Sequence, residues 1–250
     1  MIIIKTEHEI EKMQKAADLL IAVHKALREK IVPGVTTMEL DRFVEKFITD
    51  RGGHPEQKGY QGYPYSICAS VNDEICHGFP TDTPLREGDL LTVDMVVNIG
   101  GYLADSAWSY AVGEVSEETK KLMDVTKECL YRGIEKVRPG ARLGDIGNAI
   151  QSHAEANGFS VVRDFVGHGI GKNMHEDPQV LHYGKPDRGL RLQEGMVFTI
   201  EPMINAGDWP IRMDKNGWTA RTKDGSLSCQ YEHTLAVTRD GVVVLTEQGE

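Results

Sequence analysis

Leu90-Leu91-Thr92-Val93-Asp94-Met95-Val96-Val97 decides the fold, because this stretch is typical of a buried strand and yet carries an aspartate. Asn98-Ile99-Gly100-Gly101 follows as a turn, and Tyr102 to Tyr110 returns as the partner strand. Pairing the strands outward from the centre of the turn places Asp94 directly opposite Asp105. Like charges in that position destabilise a ladder, so the pair predicts a bound cation. A solvated hairpin face is the alternative, and the apolar residues around Asp94 disfavour it.

The composition is that of an ordinary soluble globular protein, with 40% hydrophobic and 26% charged residues. A length of 250 residues predicts one large domain or two small ones. The formal net charge is −10, and no run of like charges stands out. Direct binding to nucleic acid or to an anionic membrane is therefore not expected.

The cysteines and the N-terminal residues predict a cytoplasmic protein. Cys68, Cys76, Cys129 and Cys229 form no CxxC motif, so reduced thiols are expected. The start, Met1-Ile2-Ile3-Ile4-Lys5, is too short for the core of a signal peptide, and no apolar segment is long enough to span a membrane.

Two pairs of helices follow one plan along the chain. Thr6-Glu7-His8-Glu9 is a capping box, Thr37 is the predicted cap of the second helix, and Ser116 opens the third. Four positions recur at one constant offset of 106 residues: Pro33, Gly34, Leu40 and Gly52 against Pro139, Gly140, Ile146 and Gly158. Pro-Gly after a helix is common, but four matches without a gap favour a duplicated α+β unit.

The duplication predicts a single domain over residues 1–250, with related halves at about 1–112 and 113–250 that share one sheet system and one cleft. The β-rich part of the second half offers two further acidic residues, Glu201 and Glu232. Glu201 lies 107 residues after Asp94, so each half carries two carboxylates at nearly equivalent places.

His168, in Gly167-His168-Gly169-Ile170-Gly171, is a fifth candidate ligand. A lone histidine is more often structural, but glycines beside it let the backbone bend and leave the imidazole accessible. Four carboxylates with one imidazole are too rich in oxygen for a structural zinc site and suit two divalent ions of the Mn, Fe or Co kind. Two such ions activate water for hydrolysis. The chain contains no HExxH motif, no P-loop and no GxGxxG.

His77 and His175 are candidate catalytic residues, since both follow polar, turn-rich stretches. Either imidazole can donate a hydrogen bond to a developing oxyanion or to a substrate nitrogen. Composition alone leaves the alternative of surface-loop histidines equally open.

Together these residues resemble the type I methionine aminopeptidases over nearly the whole chain. Each motif is weak to moderate alone, but their order and spacing are highly specific: Cys76-His77-Gly78-Phe79-Pro80, Asp94 with Asp105, Gly167-His168-Gly169-Ile170-Gly171, His175-Glu176, Glu201-Pro202 and Glu232-His233-Thr234. The resemblance implies an α+β pita-bread fold. In that fold, two pseudo-symmetric halves pack helices outside a curved antiparallel sheet around a central dinuclear metal cleft.

The resemblance also implies roles at the site. Asp105 and Glu232 would bridge two ions (Co, Mn, Fe or Zn), while Asp94 and His168 would each complete a separate ion. Glu201 would be both a ligand and the general base for a metal-held hydroxide. By the same resemblance, His77 would contact the nitrogen side of the substrate, and His175 would stabilise the tetrahedral oxyanion.

An apolar slot for a methionine side chain is implied at four family-like positions: Tyr60, Tyr63, Cys68 and Trp218. An unbranched thioether packs well against aromatic faces. Core packing is the alternative for Tyr60 and Cys68. Met174 departs from the resemblance, because a larger apolar or aromatic group is expected there.

The activity implied is that of a cytoplasmic, monomeric, metal-dependent aminopeptidase that acts on nascent polypeptide N-termini. It would remove the N-terminal methionine when the second residue is small, and ribosome contact would be consistent with that role. The segment between His175 and Glu201 is too short for the insertion of the type II form, and the N-terminal extension of eukaryotic relatives is not seen. A minimal bacterial-style enzyme is therefore implied.

Three other functions remain open from the sequence. A proline-directed or creatinase-like pita-bread hydrolase would share the metal site, but such relatives usually carry an additional N-terminal domain. A non-catalytic pita-bread binding protein would have lost ligands, whereas all five positions are present here. A dinuclear phosphoesterase would need a cluster of Arg and Lys near the ligands to hold phosphate, and none is visible.

Overall fold

The computed structural model describes residues 1–249 and contains two pairs of α-helices separated by β-hairpins. The helices are α1 (Glu7–Arg28), α2 (Thr37–Thr49), α3 (Glu117–Ile134) and α4 (Leu143–Ala156), with a short 3₁₀ turn at Tyr60–Gly62. The strands are β1 (His54–Pro55), β2 (Cys68–Val71), β3 (Glu74–Cys76), β4 (Leu90–Ile99), β5 (Tyr102–Ala111), β6 (Ser160–Val161), β7 (Gly167–Gly169), β8 (Glu176–Val180), β9 (Val197–Ile200), β10 (Met203–Asn205), β11 (Ile211–Met213), β12 (Ala220–Thr222), β13 (Ser228–Gln230), β14 (His233–Thr238) and β15 (Gly241–Val244).

The helix caps agree with the sequence at two of three predicted positions. Thr6 forms a capping box with Glu9, and Ser116 accepts a hydrogen bond from the Thr119 N–H. The predicted cap at Thr37 is wrong, because Thr36 caps α2. Glu39 stands three residues after Thr36 and completes the reciprocal pair of hydrogen bonds, which a cap at Thr37 would lose.

The central hairpin differs from the predicted register by two residues. Gly100 and Gly101 both have positive φ (+60° and +84°) and form a two-residue loop, so that Ile99 pairs with Tyr102. Asp94 therefore lies opposite Ala107, and Asp105 lies opposite Val96, so the predicted direct pairing of the two aspartates is wrong. Side chains alternate with period two along a strand. A register shift of two residues therefore leaves the carboxylates of Asp94 and Asp105 on the same face of the hairpin, as diagonal neighbours.

All the strand pairs are antiparallel, and they form four sheets among the described residues. The sheet orders are β1-β4-β2 with β5 on β4, β13-β10-β6, β11-β12-β3, and β15-β14-β9-β7-β8. Hydrogen bonds join β5 to β14 and to the residue before it. The Glu232 N–H donates to the Ala107 carbonyl, and the Asp105 N–H donates to Thr234 Oγ1. The site residues of both halves of the chain are thereby brought to one place.

The helices pack on the outer faces of these sheets and bury the core. Met13, Leu20 and Leu27 of α1 are fully buried where that helix packs against β4 and β5. Leu122 and Leu130 of α3 are equally buried, and that helix packs against α4, β9, β10 and β13. None of the helices within residues 1–249 is long and apolar enough to cross a membrane.

The two helix pairs repeat at the offset seen in the sequence. Gly34 and Gly140 both have positive φ (+97° and +86°), and so do Gly52 and Gly158 (+76° and +83°). The isolated bridge between Thr36 and Pro84 is matched by one between Arg142 and Arg191. The division of residues 1–250 into two halves stays a prediction.

Candidate metal centre and substrate cavity

A cavity of about 230 Å³ collects nearly all the predicted site residues. Its lining includes His77, Asp94, Asp105, His168, His175 and Glu201, and also the predicted slot residues Tyr60, Tyr63, Cys68 and Trp218. Glu232 is not part of that lining. It lies behind the cavity surface, where one ligand atom each from Asp105, His168 and Glu232 fall within 4.8 Å of one another.

Strands and the residues next to them hold the candidate ligands in place. Asp94 and Asp105 lie within β4 and β5, and His168 is the middle residue of β7. Glu201 directly follows β9, and Glu232 directly precedes β14. His168 Nε2 lies 3.5 Å from Asp105 Oδ2 and 3.5 Å from Glu201 Oε1. The sheets thus place carboxylates from both parts of the chain around one imidazole.

Burial makes this cluster electrostatically unfavourable without a cation. Burial, and then the neighbouring Asp105 and Glu201, raise the pKa of Asp94 well above its ordinary value, and the same causes raise the pKa of Glu232. Burial raises the pKa of Glu201 to about 7. Although burial lowers it, the pKa of His168 rises to about 9 because Asp105 and Glu201 face the ring.

Three buried carboxylate oxygens have no hydrogen-bond partner among residues 1–249: Asp94 Oδ1, Asp105 Oδ1 and Glu232 Oε1. Buried oxygens of this kind are normally paired. Their clustering fits divalent cations, which take carboxylate oxygen and imidazole nitrogen as ligands. The donor set therefore suits the metal ions that the sequence predicts.

Two threonines missed by the sequence interpretation hold the candidate ligands. Thr199 Oγ1 donates to Glu201 Oε1 (2.8 Å) and accepts from the His168 N–H (3.0 Å). Thr234 Oγ1 donates to the Asp105 carbonyl (2.8 Å) and accepts from the Asp105 N–H (3.0 Å). Thr199 lies two residues before Glu201, and Thr234 two residues after Glu232. That period-two spacing is a signal that could have identified both.

Two further polar side chains orient Glu201. The buried His182 Nε2 accepts a hydrogen bond from the Glu201 N–H (3.1 Å), so that this nitrogen is the unprotonated one. Gln230 Nε2 donates to Glu201 Oε2 over a longer distance of 3.4 Å. Oε2 is thus held less tightly than Oε1, and it is the oxygen better able to exchange a proton.

His77 and His175 approach the cluster from different loops. Burial, and then His175, lower the pKa of His77 to about 4, and burial followed by His168 lowers the pKa of His175. The His175 ring centroid lies 4.4 Å from that of His168. Both histidines are therefore neutral at pH 7, and each retains one N–H that can donate a hydrogen bond.

The cavity wall is aromatic on one side. Trp218 packs edge-on against Tyr63, with ring centroids 5.1 Å apart, and also faces His77 at 6.4 Å. Met174 is buried and lines the cavity, so the slot is closed there by a flexible thioether. The sequence interpretation missed several other lining residues, among them Gln57, Phe165 and Met203, which no local motif marks.

This geometry agrees with comparison to known proteins. Residues 11–239 match metallopeptidase family M24, which is most of the chain. The protein belongs to family M24.

Among M24 relatives, methionine aminopeptidase A of Synechocystis sp. is 52% identical over 242 residues, which are 96% of this chain and 96% of that protein. The crystal structure of methionine aminopeptidase from Rickettsia prowazekii superimposes with a TM-score of 0.98 at 46% identity and covers 99% of this chain and 100% of its own. The predicted resemblance to methionine aminopeptidases and the predicted pita-bread fold are both confirmed.

A prolidase of Pyrococcus horikoshii is a more distant M24 structure, with a TM-score of 0.79 and 24% identity. This chain spans 64% of the length of that protein. At such an identity the likeness shows a shared fold alone.

The glycines around His168 have a further role in this M24 chain, which is to allow close approach of neighbouring strands. A Cβ on Gly167 would lie 2.4 Å from the Thr199 carbonyl oxygen. A Cβ on Gly169 would lie 2.2 Å from the Asp177 carbonyl oxygen. Both contacts are with backbone, which cannot move without shifting a strand. His168 is thereby held between β8 and β9.

We expect Gly169→Ala to lower the free energy of unfolding by about 1–3 kcal/mol, because the added methyl overpacks the contact between β7 and β8. Thermal unfolding of the metal-free proteins measures this effect. Asn173→Ala, at an exposed position shortly after β7, is the control and should leave stability nearly unchanged. An unchanged midpoint in Gly169→Ala would contradict the close-approach interpretation.

Proposed function

We propose that this protein is a metal-dependent methionine aminopeptidase, which removes the N-terminal methionine from nascent polypeptides when the second residue is small. The observation that carries the proposal is a cavity with two chemically different sides. Buried carboxylates and His168 form one side, and the aromatic slot of Tyr63 and Trp218 forms the other. Relatives of nearly the same length that are named methionine aminopeptidases support it.

The metal site we propose holds two divalent ions, drawn from Mn, Fe, Co or Zn. Their ligands would be Asp94, Asp105, His168, Glu201 and Glu232. The unpartnered carboxylate oxygens support this assignment. When bound, such ions lower the pKa of water and polarise the carbonyl that is attacked.

Proton transfer in this proposal belongs to Glu201. Thr199 holds Oε1, and the loosely held Oε2 takes the proton of the attacking water and later gives it to the leaving amine. In the metal-free protein, burial raises the pKa of Glu201 to about 7.

The two neutral histidines would act on the peptide bond. His175 would donate to the oxygen of the attacked carbonyl, and His77 would contact the nitrogen side. His77 has a positive φ of +55°, and its carbonyl accepts a hydrogen bond from Thr219 Oγ1. The loop that carries Trp218 therefore fixes the backbone at His77, so the slot and the reacting bond are linked in position.

We also propose that residues 1–250 act as one catalytic domain of two related halves, 1–112 and 113–250, working as a monomer in the cytoplasm. The recurring helix starts and positive-φ glycines support the two halves. The lack of a membrane-spanning helix in residues 1–249 is consistent with this setting. Ribosome contact would fit an enzyme that acts on nascent chains.

The experiment that tests the function is hydrolysis of Met-Ala-Ser, Met-Pro-Gly, Met-Leu-Ser and Leu-Ala-Ser by metal-stripped protein to which Mn, Fe, Co or Zn is added back. We expect metal-dependent release of methionine from the two peptides with a small second residue. Met-Leu-Ser and Leu-Ala-Ser should remain intact.

Each alternative function gives a different pattern with the same peptides. Release of leucine from Leu-Ala-Ser, or a strict requirement for proline in the second position, would identify another M24 peptidase. No hydrolysis with any metal would support a non-catalytic binding protein and would overturn the proposal.

A further inference from the structure

The hydroxyl of Tyr60 faces His175 at the cavity. Tyr60 Oη lies 2.9 Å from His175 Nδ1, and the ring centroids are 5.4 Å apart. Nδ1 is the ring nitrogen of His175 that bonds to a neighbour within residues 1–249, and Nε2 has no such partner there. The nitrogen left for a substrate is therefore Nε2.

The backbone that carries Tyr60 adopts a costly conformation. Gly59, Gln61 and Gly62 have positive φ (+90°, +47° and +87°), and a non-glycine residue such as Gln61 is strained there. The turn is closed by the Gly59 N–H, which donates to the Tyr63 carbonyl (2.7 Å). Tyr63 is buried, and its hydroxyl lies within hydrogen-bond distance of the Ile67 and Gly78 carbonyls. The strained turn thus holds Tyr60 on a rigid base, as is common at functional sites.

The Tyr60 hydroxyl forms a hydrogen bond with no other side chain of the described residues. Its one hydrogen bond within the described chain is the contact with His175. A neutral imidazole has one protonated nitrogen and one acceptor nitrogen, and its tautomer follows from the hydrogen bond on one of them. A tyrosine hydroxyl that donates to Nδ1 keeps the proton on Nε2.

We propose that Tyr60 is a positioning residue that fixes the tautomer of His175. Tyr60 Oη–H donates to Nδ1, and the proton on Nε2 is then available to the oxygen that gains negative charge when the peptide carbonyl is attacked. That the substrate is a peptide rests on the proposed function. The slot assigned to Tyr60 from the sequence involves its ring, whereas this role belongs to its hydroxyl.

The direct test is the ¹⁵N NMR spectrum of histidine-labelled, zinc-loaded protein, with His175 assigned by its loss in His175→Gln. Protonated and unprotonated ring nitrogens have well-separated shifts. We expect His175 with protonated Nε2 and unprotonated Nδ1, and a mixture of tautomers in Tyr60→Phe. A proton on Nδ1 in the wild type, or an unchanged His175 spectrum in Tyr60→Phe, would overturn the proposal.

Kinetics supply the second readout. Tyr60→Phe should lower kcat for Met-Ala-Ser roughly ten-fold with KM nearly unchanged, since it removes one hydrogen bond and keeps the ring. Tyr65→Phe is the control, because Tyr65 packs its ring against Tyr63 and lies outside the cavity lining. In a His175→Ala background, Tyr60→Phe should cause no further loss of kcat, as expected for two residues that act as a unit.

A rise in KM with unchanged kcat in Tyr60→Phe would instead assign its hydroxyl to substrate binding. If wild-type protein hydrolyses none of the peptides, the proposed function fails, and the NMR spectrum still decides the tautomer.

Discussion

Replacing Glu201 with glutamine is expected to lower kcat about a thousand-fold while the fold is retained, because the change removes the group that moves the proton. Glutamine has the shape of glutamate and can still accept the Thr199 hydroxyl at its amide oxygen. It cannot take a proton from water at neutral pH. Steady-state hydrolysis of Met-Ala-Ser at saturating metal measures the loss, and near-UV circular dichroism tests the fold.

Loss of metal must be separated from loss of the base in this variant. Metal affinity measured by calorimetry provides that separation, since kcat is compared only where both proteins are loaded. Glu135→Gln removes an exposed carboxylate from the end of α3 and serves as the matched control with unchanged kcat. Near-normal turnover by metal-loaded Glu201→Gln would exclude Glu201 as the general base.

The sequence indicates the acidic candidate ligands because buried strands rarely carry aspartate or glutamate. The register error in the central hairpin shows how robust that signal is. The sequence predicts a four-residue turn where the structure has a two-residue loop. Asp94 and Asp105 still share a face, because a register shift of two residues preserves the alternation of side chains. A shift of one would have sent one carboxylate to the opposite face.

Tertiary contacts explain what the sequence did not predict. Gln57, Phe165 and Met203 reach the cavity from three separate segments, and no local pattern distinguishes them from core residues. The hydrogen bond from Tyr60 to His175 joins positions 115 residues apart and depends on a strained turn. The wrong helix cap at Thr37 does not arise from a tertiary contact. The local sequence marks Thr36 as the cap, because Glu39 follows it by three residues, as a capping box requires.

Metal-free protein is expected to lose stability between pH 7 and pH 9, and metal-loaded protein is expected to lose much less. Asp94 and Glu232 have pKa values raised by burial and by their acidic neighbours, so the native state without metal retains protons that the unfolded chain has released. Stability therefore falls as pH rises toward the folded pKa values. The pKa of His168, raised to about 9, adds to this trend, since stability gained below its unfolded pKa of about 6.5 is lost as pH rises through 9.

The contributions of other titrating groups to stability cancel when metal-loaded and metal-free protein are compared at the same pH. His24, His182 and His233 have pKa values lowered by burial, and they affect stability mainly below pH 7. The buried cysteines have raised pKa values and titrate alike with or without metal, except where they lie beside the ligands. The difference in unfolding midpoint between metal-loaded and metal-free protein should thus widen from pH 7 to pH 9.

Glu232→Gln should change stability in opposite directions without and with metal, because the side chain is unfavourable in the empty site and is a ligand in the loaded one. Without metal at pH 8, the native state must keep Glu232 protonated although the unfolded chain has released that proton. Glutamine is neutral without a proton and avoids this cost, so the variant should be more stable than wild type by about 1–3 kcal/mol. With metal present, the variant lacks a ligand and should be the less stable protein, since ligand binding to the native state alone adds about 2.7 kcal/mol at a hundred-fold excess over Kd. Thermal unfolding with chelator and with Mn or Co measures both arms. The same sign in both arms would mean that Glu232 is held by the fold for a reason other than metal binding.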